Sequence, residues 1–410
     1  MKKCCNDIDI TDPLLIERAC WKALKGKYGR NNYVSLLASY GVHSKSYLKK
    51  LFRYCKFGVM TYEERNNLIK EDMRLLVNDI SNRIKNRSLD LEPVRYEERF
   101  DHGTGKLRRL GIESPMHQMI EHVLCLALSE LWQRKICPHQ YSPLDGKGQK
   151  RGVKCISRWC KKKDFRYFVK GDIRKCFNNI RHEDLIRLFE HDIKNKDLLW
   201  LIKADLKMHE DEGSAIGIII GSWFSSLACN YLLSFAYRYV ESLYKMRRDK
   251  RIKLVTHTLF FMDDILLCGT SRNDLRKAVR LLNAWLENEY CLSIKANWHI
   301  KDINKEPITM MGYTIYATGK IKIRRKTFKK VRRAFIAVDN DVFSLKHARR
   351  CTSYFGFPVT ADVQSVWRLP NKRALNIQLI KEKAALYQSN YERKQRNYFY
   401  AKYCTEFISA

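Results

Sequence analysis

Acidic residues are scarce in this chain: 44 Asp and Glu stand against 78 Lys and Arg, a formal net charge of +34 over 410 residues. Such a surface repels itself unless something anionic screens it, so a nucleic acid or an anionic membrane is the implied partner. Proline and glycine are few, at 8 and 18. No Pro/Gly/Ser-rich linker and no internal repeat occurs, which excludes a collagenous or low-complexity chain. The 14 cysteines form no CxxC pair, and the 11 histidines form no HxxxH or HExxH pattern. Zinc-site spacing is therefore lacking, and no histidine is assigned to a metal. Scattered cysteines in a Lys-rich chain read as the reduced thiols of a cytosol. No apolar run follows Met1-Lys2-Lys3, so no signal peptide is expected and the location expected is cytoplasmic.

What is present is a globular composition, 45% apolar and 30% charged, in a chain long enough for two or three domains. Ile69, Met73, Leu76, Ile80 and Ile84 recur at helical spacing, predicting one helix over 61–85 with Thr61 and Glu64 as its capping box. Leu275, Val279, Leu282 and Leu286 predict a second over 273–288. Short β-like runs lie at 167–169, 258–261, 265–268 and 315–323. Helices interleaved with short strands predict an α+β fold. Residues 213–237 carry no charge and have the length of a membrane span. The glycines and serines in that stretch, with Asn230, suit lipid poorly, and a buried floor is the better expectation. Basic charge concentrates in Lys320–Phe335, where Lys320, Lys322, Arg324, Arg325, Lys329, Lys330, Arg332 and Arg333 occur with no acid between them. That one-signed run suits phosphate binding.

The most informative stretch is Leu259 to Cys268, in which Asp263-Asp264 sits between two apolar strand-like runs. Adjacent carboxylates in a turn without glycine repel each other, and a divalent cation is an economical neutraliser. A third carboxylate, Asp172, ends the run Tyr167-Phe168-Val169-Lys170-Gly171. Carboxylates from separate strands converging on two metal ions are what phosphoryl transfer needs.

The order of motifs resembles that of prokaryotic reverse transcriptases over roughly residues 20 to 370. Gly105-Lys106-Leu107-Arg108-Arg109-Leu110-Gly111-Ile112 resembles a fingers motif, and Asp172 to Ile180 the first palm motif. Ile216-Gly217 to Trp223-Phe224 resembles the next, and Phe261-Met262-Asp263-Asp264 stands where the family has YxDD. Ile294 to Trp298, Met311-Gly312-Tyr313 and Ser353 to Phe357 resemble the remaining palm and thumb motifs. The resemblance implies a right-hand polymerase fold with an N-terminal helical region over 1–90, fingers over 91–165, a palm over 166–318 and a basic helical thumb and tail over 319–410. It implies RNA-directed DNA synthesis with two Mg²⁺ ions, Mn²⁺ being a substitute. Asp172, Asp263 and Asp264 would be the catalytic carboxylates, with the Ile173 carbonyl near a metal. Lys106, Arg108, Gly217 and Lys295 would face the nucleotide. Phe177 would crowd a ribose 2′-hydroxyl and so favour dNTPs. The partners implied are an RNA template, a cDNA product and dNTPs, with no membrane, and a homo-oligomer or an accessory protein as options.

Ile216 stands where intron enzymes have Gln, and Gly221-Ser222 where relatives have Ser-Pro or Ser-Gln. These departures point to the stand-alone "unknown group" and abortive-infection enzymes of bacterial defence, acting on a dedicated non-coding RNA. The alternatives are a mutagenic enzyme of a diversity-generating retroelement and a nucleic-acid-binding module that does not polymerise. About forty residues follow Trp367, fewer than an integrase or ribonuclease H domain would need. The tail's tyrosines leave protein priming open.

Overall fold

In this computed structural model the described residues are 3–56, 60–101, 106–141, 144, 146–210, 213–341, 344–361 and 375–403. The side chains of 56, 101, 106, 396, 398–400 and 401–403 lie outside the description. The strands are β1 (Arg95–Asp101), β2 (Lys106–Ile112), β3 (Gln140–Tyr141), β4 (Tyr167–Asp172), β5 (Tyr244–Arg247), β6 (Lys250–Lys253), β7 (His257–Phe261), β8 (Asp264–Gly269), β9 (Ile300–Asp302), β10 (Ile308–Met310), β11 (Tyr313–Ile315) and β12 (Ile321–Ile323). They alternate with helices, so the α+β expectation holds.

The chain divides into two compact units. The first comprises Met1–Phe52, Tyr62–Gly148 and Tyr167–Ile300. Its sheet runs β3-β7-β8-β4, with β3 parallel to β7 and the β7–β8 and β8–β4 pairs antiparallel. Strands β7 and β8 are apolar on both faces, because helices Trp223–Ser242 and Arg272–Tyr290 pack on them. The predicted residues Leu275, Val279, Leu282 and Leu286 form the inward stripe of the second helix. The charge-free stretch leads into helix Trp223–Ser242 and forms most of it, and Phe224, Leu227, Ala228, Tyr231, Leu232 and Leu233 are buried along the helix. Among the described residues no helix is long and apolar enough to cross a membrane. The helix's burial is instead stapled by polar contacts: the Tyr231 hydroxyl donates to Asp192 at 2.8 Å, and the buried Lys135 ammonium donates to the same carboxylate at 2.7 Å. Those donors hold Asp192 below its usual range against the cost of burial.

One expectation needs correction. The helix predicted over 61–85 is two helices, Tyr62–Leu68 and Lys70–Lys85, bent at Ile69 (φ −102°, ψ 18°). All five predicted apolar residues are buried, so the face was right and the continuity was not. The bend accompanies the burial of Arg65, whose guanidinium lies 3.9 Å from the Tyr28 ring centroid and 5.2 Å from that of Tyr62. Tertiary contacts thus override a good helical period.

The second unit comprises Arg53–Thr61, Gln149–Arg166 and Lys301–Ala410. The single β run predicted over 315–323 is a hairpin in it: β11 and β12 pair antiparallel in the sheet β10-β11-β12. The chain reverses through Tyr316–Lys320, where Gly319 adopts φ +79° and its N–H donates to Tyr316 O at 2.8 Å. A left-handed turn inside an alternating apolar run is invisible to periodicity alone. Helix Arg325–Asp339 follows, burying Val331, Ala334, Phe335 and Val338.

Candidate active site

Three backbone devices bring the aspartates together. The antiparallel register sets Asp172, the last residue of β4, opposite Asp264, the first of β8. The Ile173 N–H donates to Asp263 O at 3.1 Å, which ties the end of β4 to the β7–β8 turn. Phe261 and Asp264 close that turn as partners, leaving Met262 and Asp263 at its tip. Met262 has φ 55°, a left-handed conformation that costs a β-region residue energy and clusters at functional turns. It is held there: the buried Asn230 Nδ2 donates to Met262 Sδ at 2.9 Å.

The electrostatics is that of crowded negative charge. Burial, with Asp172 and Asp264 beside it, pushes Asp263 up to about 6. Two lysines meet the other carboxylates. Lys170 Nζ lies 3.1 Å from Asp264 Oδ1, and Lys295 Nζ pairs with Asp172 Oδ1. Asp172 Oδ1 is sealed from solvent and accepts no well-directed hydrogen bond. The Lys295 N–H also donates to Asp172 O at 2.9 Å, so this predicted residue does reach the site. Lys170 was missed; its signal was the alternation along β4 that sets residues 170 and 172 on one face. Three carboxylates facing two ammonium groups, one of the acids destabilised by burial and its neighbours, fit hard divalent cations that take oxygen ligands.

Phe177 lies in the short helix Cys176–Asn179, half-buried. Its carbonyl accepts from Ile218 N–H at 2.8 Å, and Ile180 O accepts from Gly217 N–H at 2.8 Å. Gly217 has φ +103°, and a Cβ there would come 3.4 Å from Asn178 O. Glycine is thus required by this backbone as much as by any ligand. His182 Nε2 bonds Gly217 O at 2.7 Å, and sequence reasoning did not single it out. Ser222, one of the departures noted above, is the N-cap of helix Trp223–Ser242, its side chain accepting from Ser225 N–H.

The remaining candidates stand elsewhere. Arg108 lies on the β1–β2 hairpin, opposite Arg99, and is exposed. The Lys106 side chain lies outside the described residues. Gly111 of the same motif packs so closely that an added Cβ would meet Ile219 Cγ2 at 2.6 Å. The basic run belongs to the second unit. Lys320, Arg324, Arg325, Lys329, Lys330 and Arg333 are exposed there, while Lys322 and Arg332 are half-buried. Lys322 Nζ stands 5.2 Å from the Tyr316 ring centroid.

A carboxylate at a strand end beside an Asp-Asp turn is an arrangement that could hold divalent metal ions. Residues 97–315 match the family model described as reverse transcriptase (RNA-dependent DNA polymerase), and the chain belongs to that family, with its right-hand polymerase fold. The COX1/OXI3 intron 2 protein of Saccharomyces cerevisiae is 21% identical over 310 residues, covering 62% of this chain and 36% of its own length. The intron 1 protein of the same yeast is 20% identical over 258 residues, covering 60% of this chain and 30% of its own. The chain spans about a third of the length of these curated relatives. Both are fungal intron proteins, not prokaryotic defence enzymes. Among solved structures, apo telomerase from Candida tropicalis is similar at 10% identity with a TM-score of 0.41, covering 86% of this chain and 81% of that one.

Proposed function

We propose that this chain is an RNA-directed DNA polymerase that adds dNTPs to a primer 3′-hydroxyl. The observation that carries the reading is the Asp172–Asp264 register with Asp263 beside both. Asp172, Asp263, Asp264 and the Ile173 carbonyl would hold two Mg²⁺ ions, which supply activation of the hydroxyl and neutralise the leaving pyrophosphate. The chain's own part is to keep the carboxylates convergent through the Met262 turn. Lys295 and Lys170 meet the carboxylates until cations and triphosphate replace them, Lys106 and Arg108 grip phosphate oxygens, and the Phe177 ring selects the deoxy sugar. Residues 91–165, 166–318 and 319–410 serve as fingers, palm and thumb. The basic residues of 320–333 follow the template–primer backbone.

The template class is a dedicated non-coding RNA and the role antiphage defence in a bacterial cytoplasm. Ile216, which departs from the intron pattern, and the helix-capping Ser222, which departs from the diversity-generating one, support this. Labelled dNTP incorporation with Mg²⁺, by protein purified with its retained nucleic acid, tests the reading. Wild type should incorporate label, ribonuclease pretreatment should remove the signal, and Asp263→Ala/Asp264→Ala should be silent. Label that survives ribonuclease, or that persists in the double variant, would overturn it. So would no incorporation on any supplied primed RNA.

A further inference from the structure

A second polar cluster lies inside the first unit. His117 and Glu121 sit one turn apart on helix Pro115–Ala127, four and eight residues after Glu113. Asp205 and His209 sit one turn apart at the end of helix Lys196–Met208. All five are at least nine-tenths buried, with His117 and Asp205 at 0% exposure and His209 at 2%. Donor atoms of Glu113, His117 and His209 lie within 4.8 Å of one another, as do those of Glu121, Asp205 and His209.

Hydrogen bonding separates the two sets. Glu121 Oε1 accepts from the Ser222 hydroxyl and from Phe224 N–H at 3.3 Å, so it serves a helix N-terminus. Asp205 Oδ1 accepts from His117 Nε2 at 3.1 Å. What remains is a row of sealed atoms without a well-formed hydrogen bond: Glu113 Oε1, His117 Nδ1, Asp205 Oδ2 and both ring nitrogens of His209, whose Nε2 lies 3.4 Å from that Asp205 oxygen. A buried histidine whose Nδ1 meets no partner, beside an unbonded Glu113 oxygen and His117 Nδ1, is costly and calls for an occupant. The Asp205–His117 bond orients the ring and leaves Nδ1 without a hydrogen bond, the carboxylate–histidine support common behind metal ligands.

We infer that Glu113, His117 and His209 form a buried site for one divalent transition-metal ion, with Asp205 as the supporting carboxylate. Two imidazoles and a carboxylate suit Zn²⁺, with Asp205 Oδ2 or a water completing a tetrahedron. Mg²⁺, which wants oxygen ligands, fits poorly. The ion would tie helix Pro115–Ala127 to helix Lys196–Met208. His209 also packs edge-on to His182, centroids 6.5 Å apart, and His182 holds Gly217 O. The site thus buttresses the turn beside Phe177. The rival occupant is a proton, since burial beside Glu121 and Asp205 pushes Glu113 up to about 9.

The test uses the full chain carrying Asp263→Ala/Asp264→Ala, so that the palm carboxylates do not contribute. The protein is stripped with EDTA, given Zn²⁺ and dialysed. Elemental analysis should then find about one zinc per chain, and X-ray absorption should show nitrogen and oxygen at about 2.0 Å with no sulfur. Zinc should raise the melting temperature above that of the stripped protein. Glu113→Gln should weaken retention in chelator competition about tenfold or more with an unchanged far-UV spectrum. No retained zinc, a sulfur shell from the buried thiols, or Glu113→Gln binding as tightly as its parent would each overturn the site. If His209→Gln does not fold, Glu113→Gln decides. None of these readouts depends on polymerisation.

Discussion

Asp172 and Asp264 are direct partners across the antiparallel β4–β8 pair, an arrangement in which like charges repel. The third carboxylate, Asp263, is raised to about 6 by burial first and by both neighbouring carboxylates next, which fixes the sign of a pH effect. A carboxyl whose folded value exceeds its unfolded one contributes stability at low pH and loses it as pH rises from about 3.8 through 6. Without metal, Asp263→Asn should therefore stabilise the protein at pH 7.5 by roughly 2 kcal/mol, while abolishing incorporation. Mg²⁺ should raise the melting temperature of wild type and leave the variant unmoved. Thermal melts in EDTA and in Mg²⁺ check both; a variant less stable than wild type in EDTA would refute the crowding.

Phe177 is half-buried beside the backbone of Ile218, which donates to its carbonyl. Phe177→Ala leaves that main-chain bond in place and removes the ring. Discrimination of dNTP over rNTP should fall at least tenfold, with dNTP incorporation retained. Measuring kcat/KM for both nucleotides reads the ratio, and an unchanged ratio would make Phe177 a packing residue.

His122 tests the burial of helix Pro115–Ala127 against helix Trp223–Ser242. Its ring lies 4.9 Å from that of Trp223, and burial, aided by Lys27 and Lys22, pushes it down to about 4 despite its bond to Gln118 O. A histidine lowered on folding contributes stability above its unfolded value of 6.5 and loses it as pH falls toward 4. Between pH 7 and 4.5, wild type should lose roughly 2 kcal/mol more than His122→Gln. Urea unfolding at the two pH values reads the difference, and parallel losses would show His122 protonated in the fold.

The exposed basic face of helix Arg325–Asp339 should bind phosphate additively. Lys329→Ala, Lys330→Ala and Arg333→Ala together should lower RNA affinity without altering sequence preference. The slope of log K against log salt should shrink by about 2 to 3. Filter binding across a salt series checks this, and an unchanged slope would place the nucleic acid elsewhere.

The chemistry on offer is legible along the chain. Charge excess, the order of motifs, three aspartates and the apolar stripes are local properties. The β-like runs at 167–169, 258–261 and 265–268 and the helix over 273–288 followed from them, while Lys295 came only from the family resemblance. The rest depends on packing between residues far apart in the chain. The bend at Ile69 answers to the aromatic rings around Arg65. Lys170 reveals itself through β-register, and Ser222 as a cap that also bonds Glu121. Glu113, His117, Asp205 and His209 show the limit plainly. Each helix carries its two donors at a spacing of four, the trace that sequence reading could have followed. Neither pair is a site until packing seals both helices from water and leaves their nitrogens and oxygens facing one another.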